Sequence, residues 1–376
     1  MASGDHPDVR RPVTAPDFLL SRPTGSLRTQ GAVRAFTDPA DAALALRAGD
    51  CELVVGAIGF EPDAPAALVE PEVVVRTDGP LEPPAYFRAI RTRARLAREV
   101  PTPDEHRARV STALRAIRAG EGSKVVLARD VRLASEDPID PHAVCATLID
   151  SSPYADGFLV DLSPAGDGYS GRVLVGSSPE VLVRRRGEVV ECHPLAGSAP
   201  RDADPARDQA AARALKRSGK DAAEHAFVVD SISAALGPLC SELEIPPQPS
   251  LTSTREMWHL GTRIRGRIRD PRTTALDLAL AVHPTPAVCG TPTEAARRLV
   301  AGIEGTRGFY AGAVGWADAG GDGDWMVTIR CAEISADRTG AVAWAGGGLV
   351  ADSDPDDEVA ETGAKLRTVL RAFGAA

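Results

Sequence analysis

The chain of 376 residues contains no long apolar run. No segment approaches the roughly 18 consecutive apolar residues that a membrane-spanning helix needs. The first 30 residues mix charged residues with prolines, and they lack the apolar core of a secretory signal. We therefore expect a cytoplasmic protein that does not enter a membrane.

Paired cysteines are missing as well. The chain has six cysteines but no C-x-x-C pair, which argues against a zinc site and against a secreted disulfide framework. We expect all of them to be reduced thiols, at Cys51, Cys145, Cys192, Cys240, Cys289 and Cys331.

Positive charge is not in excess. The chain carries 43 Lys and Arg against 52 Asp and Glu, for a formal net charge of -9. This balance gives no electrostatic footprint for nucleic acid, so we expect no nucleic-acid partner. Apolar residues make up 43% of the chain, which is ample for a buried core in one large domain or two smaller ones.

The content of the chain changes near residue 102. Residues 1–102 contain short apolar runs typical of strands, such as residues 51–60, and no chemical motif. We predict that they complete the sheets of one structural domain, whose remaining part, residues 103–376, carries the motifs. The spacing of apolar residues predicts a helix over 103–122.

Strands and helices then follow in runs, without strict alternation. A β-branched alternating stretch predicts a strand over 123–133, and further strands are predicted near 154–162, 172–197, 309–318, 325–334 and 341–351. Helices are predicted at 205–236, 274–282, 293–304 and 354–373. This order indicates an α+β protein in which helices cover large mixed or antiparallel sheets.

The last predicted helix begins with a cluster of acidic residues. Asp354 is suited to the N-cap, with Pro355 at the first helical position, and the acidic residues of the first turn favour the helix dipole. Glu358, Glu361 and Lys365 then share one face. On this helix alone, we favour an ordinary surface pair of Glu361 and Lys365.

A second acidic pair, Asp221 and Glu224, lies three residues apart in the predicted helix 205–236. Two such pairs on two helices supply the oxygen ligands that a hard divalent cation such as Mg²⁺ prefers. Spacing alone does not establish a metal site, because carboxylates at this spacing are common on solvated helices.

Three other residues are unusual in apolar surroundings. Lys124 opens a strand, Glu180 follows a Ser-Ser-Pro turn, and His259 lies among apolar and small residues. A charge on a buried strand face is costly unless it is paired. Taken singly, each is more typical of a solvent-facing or structural residue than of a catalytic one.

Two predicted loops are also unusual in sequence. Residues 283–296 crowd three prolines and a glycine before a helix for which Thr293 is the predicted cap, and a glycine triplet precedes the acidic helix. Backbone amides of the triplet are able to receive a carboxylate. The triplet has neither the spacing nor the lysine of a phosphate loop.

Nine segments, in this order, resemble the chorismate-utilising enzymes, the family of isochorismate, salicylate, anthranilate and aminodeoxychorismate synthases. The resemblance covers about residues 103–373. Its motifs are KVVLARD, GSSPEVLV, PLAGSAPR, KDAAEHAFVVD, HLGT, HPTPAVCGTPTEAA, GFYAGAVGW, IRCAEI and DSDPDDEVAETGAKL. The resemblance implies the family's fold, with two large stacked β-sheets flanked by helices, and makes residues 103–376 the chorismate-binding catalytic region.

Within the family, the lysine of KVVLARD and the loop HPTPAV look like isochorismate synthase, closest to the siderophore type that feeds 2,3-dihydroxybenzoate synthesis. The implied reaction converts chorismate to isochorismate. Lys124 would activate water for attack at ring carbon C2, and Glu180 would protonate the departing C4 hydroxyl. These opposite roles require both pKa values to shift toward neutrality.

The resemblance also implies a Mg²⁺ cofactor that holds the ring carboxylate. Glu224 and Glu361 would be its ligands, with Asp221 and Glu358 assisting directly or through water. The implied substrate contacts are Arg330 and Tyr310 to the enolpyruvyl carboxylate, Lys365 near the metal-bound carboxylate, His259 along the ring, and Gly197, Ser198 and Gly347 around the pocket.

Three alternatives stay open at this point. A salicylate synthase would go on to eliminate pyruvate, and a menaquinone-pathway enzyme would make the same isochorismate. A metabolite-binding protein without catalysis would use the same helices. The family resemblance and the absence of a coiled-coil seam favour a monomer.

Overall fold

The computed structural model describes residues 15–375 of the chain. These residues form 22 strands, which are β1 Phe18–Arg22, β2 Gly25–Gln30, β3 Arg34–Phe36, β4 Leu53–Ile58, β5 Ala67–Glu70, β6 Val73–Thr77, β7 Arg95–Val100, β8 Lys124–Ala134, β9 Gly157–Asp161, β10 Val173–Gly176, β11 Val181–Arg186, β12 Val189–His193, β13 Leu195–Pro200, β14 Cys240–Glu244, β15 Ser250–Ser253, β16 Met257–Gly261, β17 Ile264–Ile268, β18 Gly290–Thr291, β19 Ala313–Asp318, β20 Gly323–Val327, β21 Cys331–Ile334 and β22 Gly340–Leu349.

The same residues form nine α-helices. They are α1 Pro39–Ala48, α2 Ala85–Ala89, α3 Pro103–Arg118, α4 Pro141–Ser151, α5 Pro205–Arg217, α6 Gly219–Leu236, α7 Ala275–Val282, α8 Thr293–Ile303 and α9 Pro355–Ala372. No helix within 15–375 combines the length and the apolar character that crossing a bilayer requires.

Two large sheets dominate the described part of the chain. The first has ten strands in the order β18-β8-β22-β21-β10-β9-β1-β2-β6, with β7 added beside β8. The second has nine strands in the order β14-β17-β12-β11-β20-β19-β4-β5-β3, and β13, β16 and β15 form a small third sheet. The predicted α+β class with large antiparallel sheets is confirmed.

The main core lies between the two large sheets. Leu20, Phe158 and Leu127 of the first sheet belong to the same buried cluster as Leu182 and Met326 of the second. A second cluster packs α4 and α9 against the other face of the first sheet. Burying apolar side chains in this way is the main source of stability for stacked layers.

Strands from residues 15–102 run within both large sheets. β1, β2, β6 and β7 belong to the first sheet, and β3, β4 and β5 belong to the second. β4 pairs along its length with β19, from Leu53 opposite Asp318 to Ile58 opposite Ala313. This early part of the chain therefore shares its hydrogen bonds with strands of the later part.

The pairing of β8 with β22 positions Lys124 and the glycine triplet next to each other. Their register runs from Ala134 opposite Gly340 to Val125 opposite Leu349, so the glycine triplet lies beside the start of β8. On its other side, Lys124 of β8 lies opposite Thr291 of β18. Lys124 is thus placed between the proline-rich loop and the strand that leads to the acidic helix.

Two local predictions are wrong. The helix predicted over 205–236 is two helices, because the chain breaks at Ser218, whose hydroxyl accepts a hydrogen bond from the Asp221 N–H and caps α6. Thr293 does not cap α8, because it is already the first helical residue. The cap position is Pro292, which has no side-chain acceptor.

The predicted start of the acidic helix is confirmed. The Asp354 carboxylate accepts hydrogen bonds from the N–H groups of Asp356 and Asp357, and Pro355 is the first helical residue of α9. These carboxylates are accounted for by the helix N-terminus. The residues left for chemistry are Glu358 and Glu361.

Candidate active site

A cavity open to solvent, with about 650 Å³ of empty space, lies where the first sheet, the small sheet, α6 and α9 meet. It is lined by side chains or backbone of nine residues predicted from the sequence, which are Glu180, Gly197, Ser198, Glu224, His259, Tyr310, Arg330, Glu361 and Lys365. The other four predicted residues do not line it but lie against residues that do, or against one another. They are Lys124, Asp221, Gly347 and Glu358.

Lys124 is fully buried and forms an ion pair with Glu224. Its Nζ lies 3.1 Å from Glu224 Oε1, and its side chain has no exposed surface. Gly348 makes room for this pair, because a Cβ there would lie 2.2 Å from Glu224 Oε1 and 3.1 Å from Lys124 Cε. An unpaired ammonium at this depth would cost several kcal/mol, so the Glu224 carboxylate is what permits Lys124 to be buried.

Glu180 follows the turn formed by Ser178 and Pro179. The Ser178 hydroxyl accepts a hydrogen bond from the Glu180 N–H at 3.3 Å, and the Glu180 carbonyl accepts one from the Val327 N–H. Burial raises the pKa of the Glu180 carboxyl to about 7, although the Leu195 backbone and Lys124 act in the opposite direction. A carboxyl group with this pKa carries a proton that it can donate near neutral pH.

Glu361 is held by two donors on the cavity wall. Lys365 Nζ lies 2.5 Å from Glu361 Oε1, and the Ser198 hydroxyl donates to the same oxygen at 2.9 Å. Burial acts to raise the pKa of Glu361, but Lys365 and Ser198 outweigh it and lower the pKa. Lys365 also donates to the Gly346 carbonyl, so the ammonium ties α9 to β22.

Glu358 lies one turn earlier on α9 and is 1% exposed. Its Oε1 is 3.3 Å from Lys220 Nζ, whereas its Oε2 has no hydrogen-bond partner among residues 15–375. A Cβ at Gly347 would lie 2.3 Å from Oε2, so the glycine is needed for the carboxylate to fit. Burial and the neighbouring Glu361 raise the pKa of Glu358 to about 8.

Asp221 lies in the first turn of α6. With Glu224, Glu358 and Glu361 it forms a set of four carboxylates, called the acidic group below. Gly197 approaches it with a left-handed φ of 78°, and a Cβ on this glycine would lie 2.9 Å from Asp221 Cβ. Burial raises the pKa of Asp221, and the charge of Glu224 adds to the effect. The carboxylates of α6 and α9 therefore sense one another's charge across a short space.

These four carboxylates fit a magnesium ion by their chemistry. Within residues 15–375, no three His, Cys, Asp or Glu side chains converge closely enough to form a ready-made metal site. However, the donors are the hard oxygens that Mg²⁺ selects, and Mg²⁺ keeps several of its waters. The buried, partnerless Oε2 of Glu358 is the atom that most needs a cation.

Another part of the cavity lining, called the basic end below, carries basic and aromatic side chains. Arg330 adopts a left-handed φ of 53° and is buried. Its Nη1 has no hydrogen-bond partner in the described part of the chain, and its Nη2 lies 3.5 Å from His259 Nε2. Burial and then the charge of Arg330 lower the pKa of His259 well below its usual value, so the imidazole is neutral. Tyr310 stacks on Trp344, with ring centroids 5.6 Å apart.

Comparison with known proteins now identifies this arrangement. The family described as "Chorismate binding enzyme" matches residues 79–374, which is most of the chain. The chain belongs to the chorismate-binding enzyme family. The predicted resemblance is therefore confirmed, and the antiparallel architecture is the fold of this family.

Three relatives illustrate the membership. The Mycobacterium tuberculosis (strain H37Rv) protein named "Putative isochorismate synthase MenF" is 48% identical over 361 residues, which cover 96% of each chain. The Bacillus subtilis "Isochorismate synthase DhbC" is 46% identical and covers 86% of this chain and 81% of its own. The solved Bacillus anthracis DhbC, titled a "putative 2,3-dihydroxybenzoate-specific isochorismate synthase", superposes with a TM-score of 0.87 at 36% identity and covers 96% of this chain and 97% of its own.

Two buried residues of this family member were missed from the sequence. The Arg307 guanidinium donates to the carbonyls of Val288 and Val126, both at 2.7 Å, and pairs with Glu304 at 2.9 Å. The Glu304 carboxylate in turn accepts from the Ala128 N–H. Together they clamp the proline-rich loop to β8, next to Lys124.

Lys220 was also missed, although the sequence contains a signal for it. The chain has only four lysines among its 43 basic residues, at Lys124, Lys216, Lys220 and Lys365. Three of the four pair with carboxylates of the acidic group. In a chain that otherwise uses arginine, the scarcity of lysine marks these positions.

Proposed function

We propose that this protein is an isochorismate synthase, an isomerase that converts chorismate to isochorismate. The observation that carries the proposal is the burial of Glu180 in the cavity lining and of Lys124 beside the lining residue Glu224, with burial raising the pKa of Glu180 to about 7. The names of the relatives at 48% and 46% identity support it.

The proposed chemistry divides between these two side chains. Lys124 takes a proton from a water molecule, whose oxygen forms a bond to ring carbon C2. The bond between C4 and its hydroxyl oxygen breaks as the ring double bonds shift, and Glu180 gives its proton to the departing oxygen. One water enters and one leaves, so the product is an isomer of the substrate.

The buried ion pair limits when Lys124 can act. In the structure, Lys124 Nζ faces Glu224 Oε1 at 3.1 Å, and the lysine side chain has no exposed surface. To act as a base, the amine must give up its proton and its contact with Glu224. Glu180 needs no comparable change, because burial raises the pKa of its carboxyl to about 7, so that a substantial fraction is protonated at neutral pH.

Glu224 and Glu361, assisted by Asp221 and Glu358, would hold the proposed Mg²⁺. When bound, the ion would offset the negative charge of the ring carboxylate of chorismate. Lys365 lies on the same side of the cavity, where it bridges Glu361 and the Gly346 carbonyl. The Lys365 ammonium is thus a second positive charge near the metal-binding carboxylates, and it is suited to bind the ring carboxylate of chorismate as well.

The basic end of the cavity is suited to the enolpyruvyl carboxylate. Arg330 offers a buried guanidinium with a partnerless Nη1, a donor that forms strong charge-assisted hydrogen bonds to carboxylates. The Tyr310 hydroxyl is a second donor for this group. The neutral His259 borders the ring, with Gly197, Ser198 and the backbone near Gly347 around it.

We further propose that the isochorismate feeds 2,3-dihydroxybenzoate and siderophore synthesis, as the name of the DhbC structure suggests for that protein. A role in menaquinone synthesis is the second candidate, which the relative named MenF favours. Salicylate synthase is the competing activity, because such an enzyme would form isochorismate and then eliminate pyruvate from it.

One assay separates these possibilities. Purified protein is incubated with chorismate in Mg²⁺ or in EDTA, and the products are separated by chromatography. We expect isochorismate in Mg²⁺ and almost none in EDTA. Salicylate and pyruvate as main products would replace the proposal with salicylate synthase, and an absence of chorismate consumption in Mg²⁺ would leave a metabolite-binding protein.

The choice of pathway needs a test in cells. The coding sequence is expressed in one strain that lacks its siderophore isochorismate synthase and in another that lacks its menaquinone isochorismate synthase. Growth under iron limitation in the first strain only would support the siderophore role. Rescue of menaquinone synthesis alone would favour the second candidate.

A further inference from the structure

Lysine is concentrated at the acidic group in a way that the proposed reaction does not fully explain. Lys124 pairs with Glu224 at 3.1 Å, Lys220 with Glu358 at 3.3 Å, and Lys365 with Glu361 at 2.5 Å, so each of three buried or half-buried carboxylates has its own ammonium. The remaining lysine of the chain, Lys216, is exposed near the end of α5. The reaction uses Lys124 and Lys365 but gives Lys220 no role.

Lys220 is held less firmly at its carboxylate than Lys124 and Lys365 are at theirs. Its side chain is 32% exposed, whereas that of Lys124 is 0% and that of Lys365 is 17% exposed. Lys365 is fixed by a second hydrogen bond to the Gly346 carbonyl. Lys220 makes one, to Glu358 Oε1, and can therefore exchange that contact for water at small cost.

Glu358, in contrast, needs a positive charge nearby when it is ionised. The carboxylate is 1% exposed, and only one of its two oxygens has a partner within residues 15–375. A buried carboxylate without a counter-ion is costly, so some cation must be near whenever Glu358 is ionised. A single lysine on Oε1 meets this need in part and leaves Oε2 unpaired.

We propose that Lys220 is the exchangeable counter-ion of Glu358, which it holds while the divalent cation is absent and for which it competes with magnesium, so that Lys220 sets the magnesium affinity of the site. This inference rests on the proposed magnesium requirement. It assigns to Lys220 a positioning role that acts through Glu358 and involves no contact with substrate.

The choice of lysine over arginine fits this role. Elsewhere the chain pairs buried or half-buried carboxylates with arginine, as in Arg307 with Glu304 and Arg201 with Asp208. A guanidinium binds both oxygens of a carboxylate in a fixed geometry, which favours a permanent pair. An ammonium is a point charge on a flexible stem, and it releases one oxygen more readily.

The test measures binding of Mg²⁺ alone by calorimetric titration, without substrate. We expect Lys220→Met to bind Mg²⁺ about tenfold more tightly than the wild type, because a competing positive charge has been removed. Lys216→Met is the matched control and should bind as the wild type does. A titration near pH 9 limits competition by protons, since burial raises the pKa of Glu358 to about 8.

Thermal unfolding gives a second readout that does not depend on activity. The rise in Tm caused by Mg²⁺ should be larger for Lys220→Met than for the wild type, because tighter binding to the folded state stabilises it more. Lys220→Arg keeps the charge and should bind Mg²⁺ no more tightly than the wild type. This variant keeps the inference testable if Lys220→Met does not fold.

A double-mutant cycle shows whether Lys220 acts through Glu358. In a Glu358→Gln background, the Lys220→Met change should no longer alter Mg²⁺ affinity. Equal or weaker Mg²⁺ binding by Lys220→Met than by the wild type would overturn the inference while leaving the proposed function intact. A wild-type protein that binds no Mg²⁺ would overturn both the inference and the proposed metal requirement.

Discussion

Two parts of the cavity wall, the acidic end formed by the carboxylates of α6 and α9 and the basic end around Arg330, balance charge in opposite ways. At the acidic end, Glu224, Glu358 and Glu361 are each matched by a lysine. At the basic end, Arg330 is buried without an ion pair among residues 15–375, and the neighbouring His259 ring is neutral. One end is therefore already compensated by the protein, whereas the other holds an unbalanced positive charge.

This difference indicates what each end requires from a ligand. The basic end is ready for an anion, because Arg330 gains a partner and loses nothing when a carboxylate arrives. At the acidic end, the proposed metal ion would first have to displace a lysine. A substrate with two carboxylates, as proposed here, would meet both ends at once.

Glu180 lies under the influence of both ends, and its loss should have the largest effect. The charges of Lys124, Lys365 and Arg330 all act to lower the pKa of its carboxyl, against the larger effect of burial. We expect Glu180→Gln to lower kcat by about 10²–10⁴, because the departing hydroxyl would lose its proton donor. Steady-state turnover of chorismate is the measurement, with Glu188→Gln, at an exposed carboxylate, as the control.

The pH profile makes this first test sharper. The acid must be protonated to work, so wild-type turnover should fall about tenfold per pH unit above the Glu180 pKa of about 7. The falling limb should be absent from the residual activity of Glu180→Gln. Wild-type rates in this variant would remove Glu180 from the mechanism.

Much of this site was predictable because its residues are chemically out of place in the sequence. Lys124 and Glu180 are charges in apolar strands, and Asp221 and Glu224 share a spacing with Glu358 and Glu361. Such costly placements need a reason, and the family motifs supplied it. The antiparallel sheets followed from runs of strands, and the start of α9 from the Asp-Pro pair at its cap.

Other features depend on contacts that no sequence pattern encodes. The pairing of Lys220 with Glu358 joins residues 138 positions apart. The break at Ser218 was hidden because helical periodicity continues on both sides of it. The clamp made by Arg307 and Glu304 satisfies backbone carbonyls of other elements, and their need for a donor becomes visible only after the chain has folded.

Removing the unbalanced charge at the basic end should have the second largest effect. We expect Arg330→Met to raise the KM for chorismate by about 10–100-fold, because a charged hydrogen bond contributes about 1.5–3 kcal/mol. The change in kcat should be smaller, since Arg330 does not transfer a proton. Arg367→Met, at an exposed position on α9, is the control, and an unchanged KM for Arg330→Met would mean that the substrate carboxylate binds elsewhere.

The smallest effect is a change in stability at the acidic end. Burial and Glu361 raise the pKa of Glu358 from 4.5 to about 8 in the folded protein. Between these two values the folded carboxyl keeps a proton that the unfolded chain has lost, so the free energy of unfolding falls as pH rises through this window. Glu358→Gln removes this cost, and without metal its Tm should exceed that of the wild type by a few degrees at pH 8 and by less at pH 6.

Added Mg²⁺ should reverse the order of the Tm values of the wild type and Glu358→Gln. The wild type gains a cation at an ionised Glu358, whereas the glutamine variant lacks this ligand, so added Mg²⁺ should raise the wild-type Tm above that of Glu358→Gln. Glu294→Gln, at an exposed carboxylate paired with Arg297, should leave Tm unchanged at both pH values. A Glu358→Gln protein less stable than the wild type at every pH would mean that the lysine alone balances Glu358, and that the two ends of the cavity differ less than their geometry indicates.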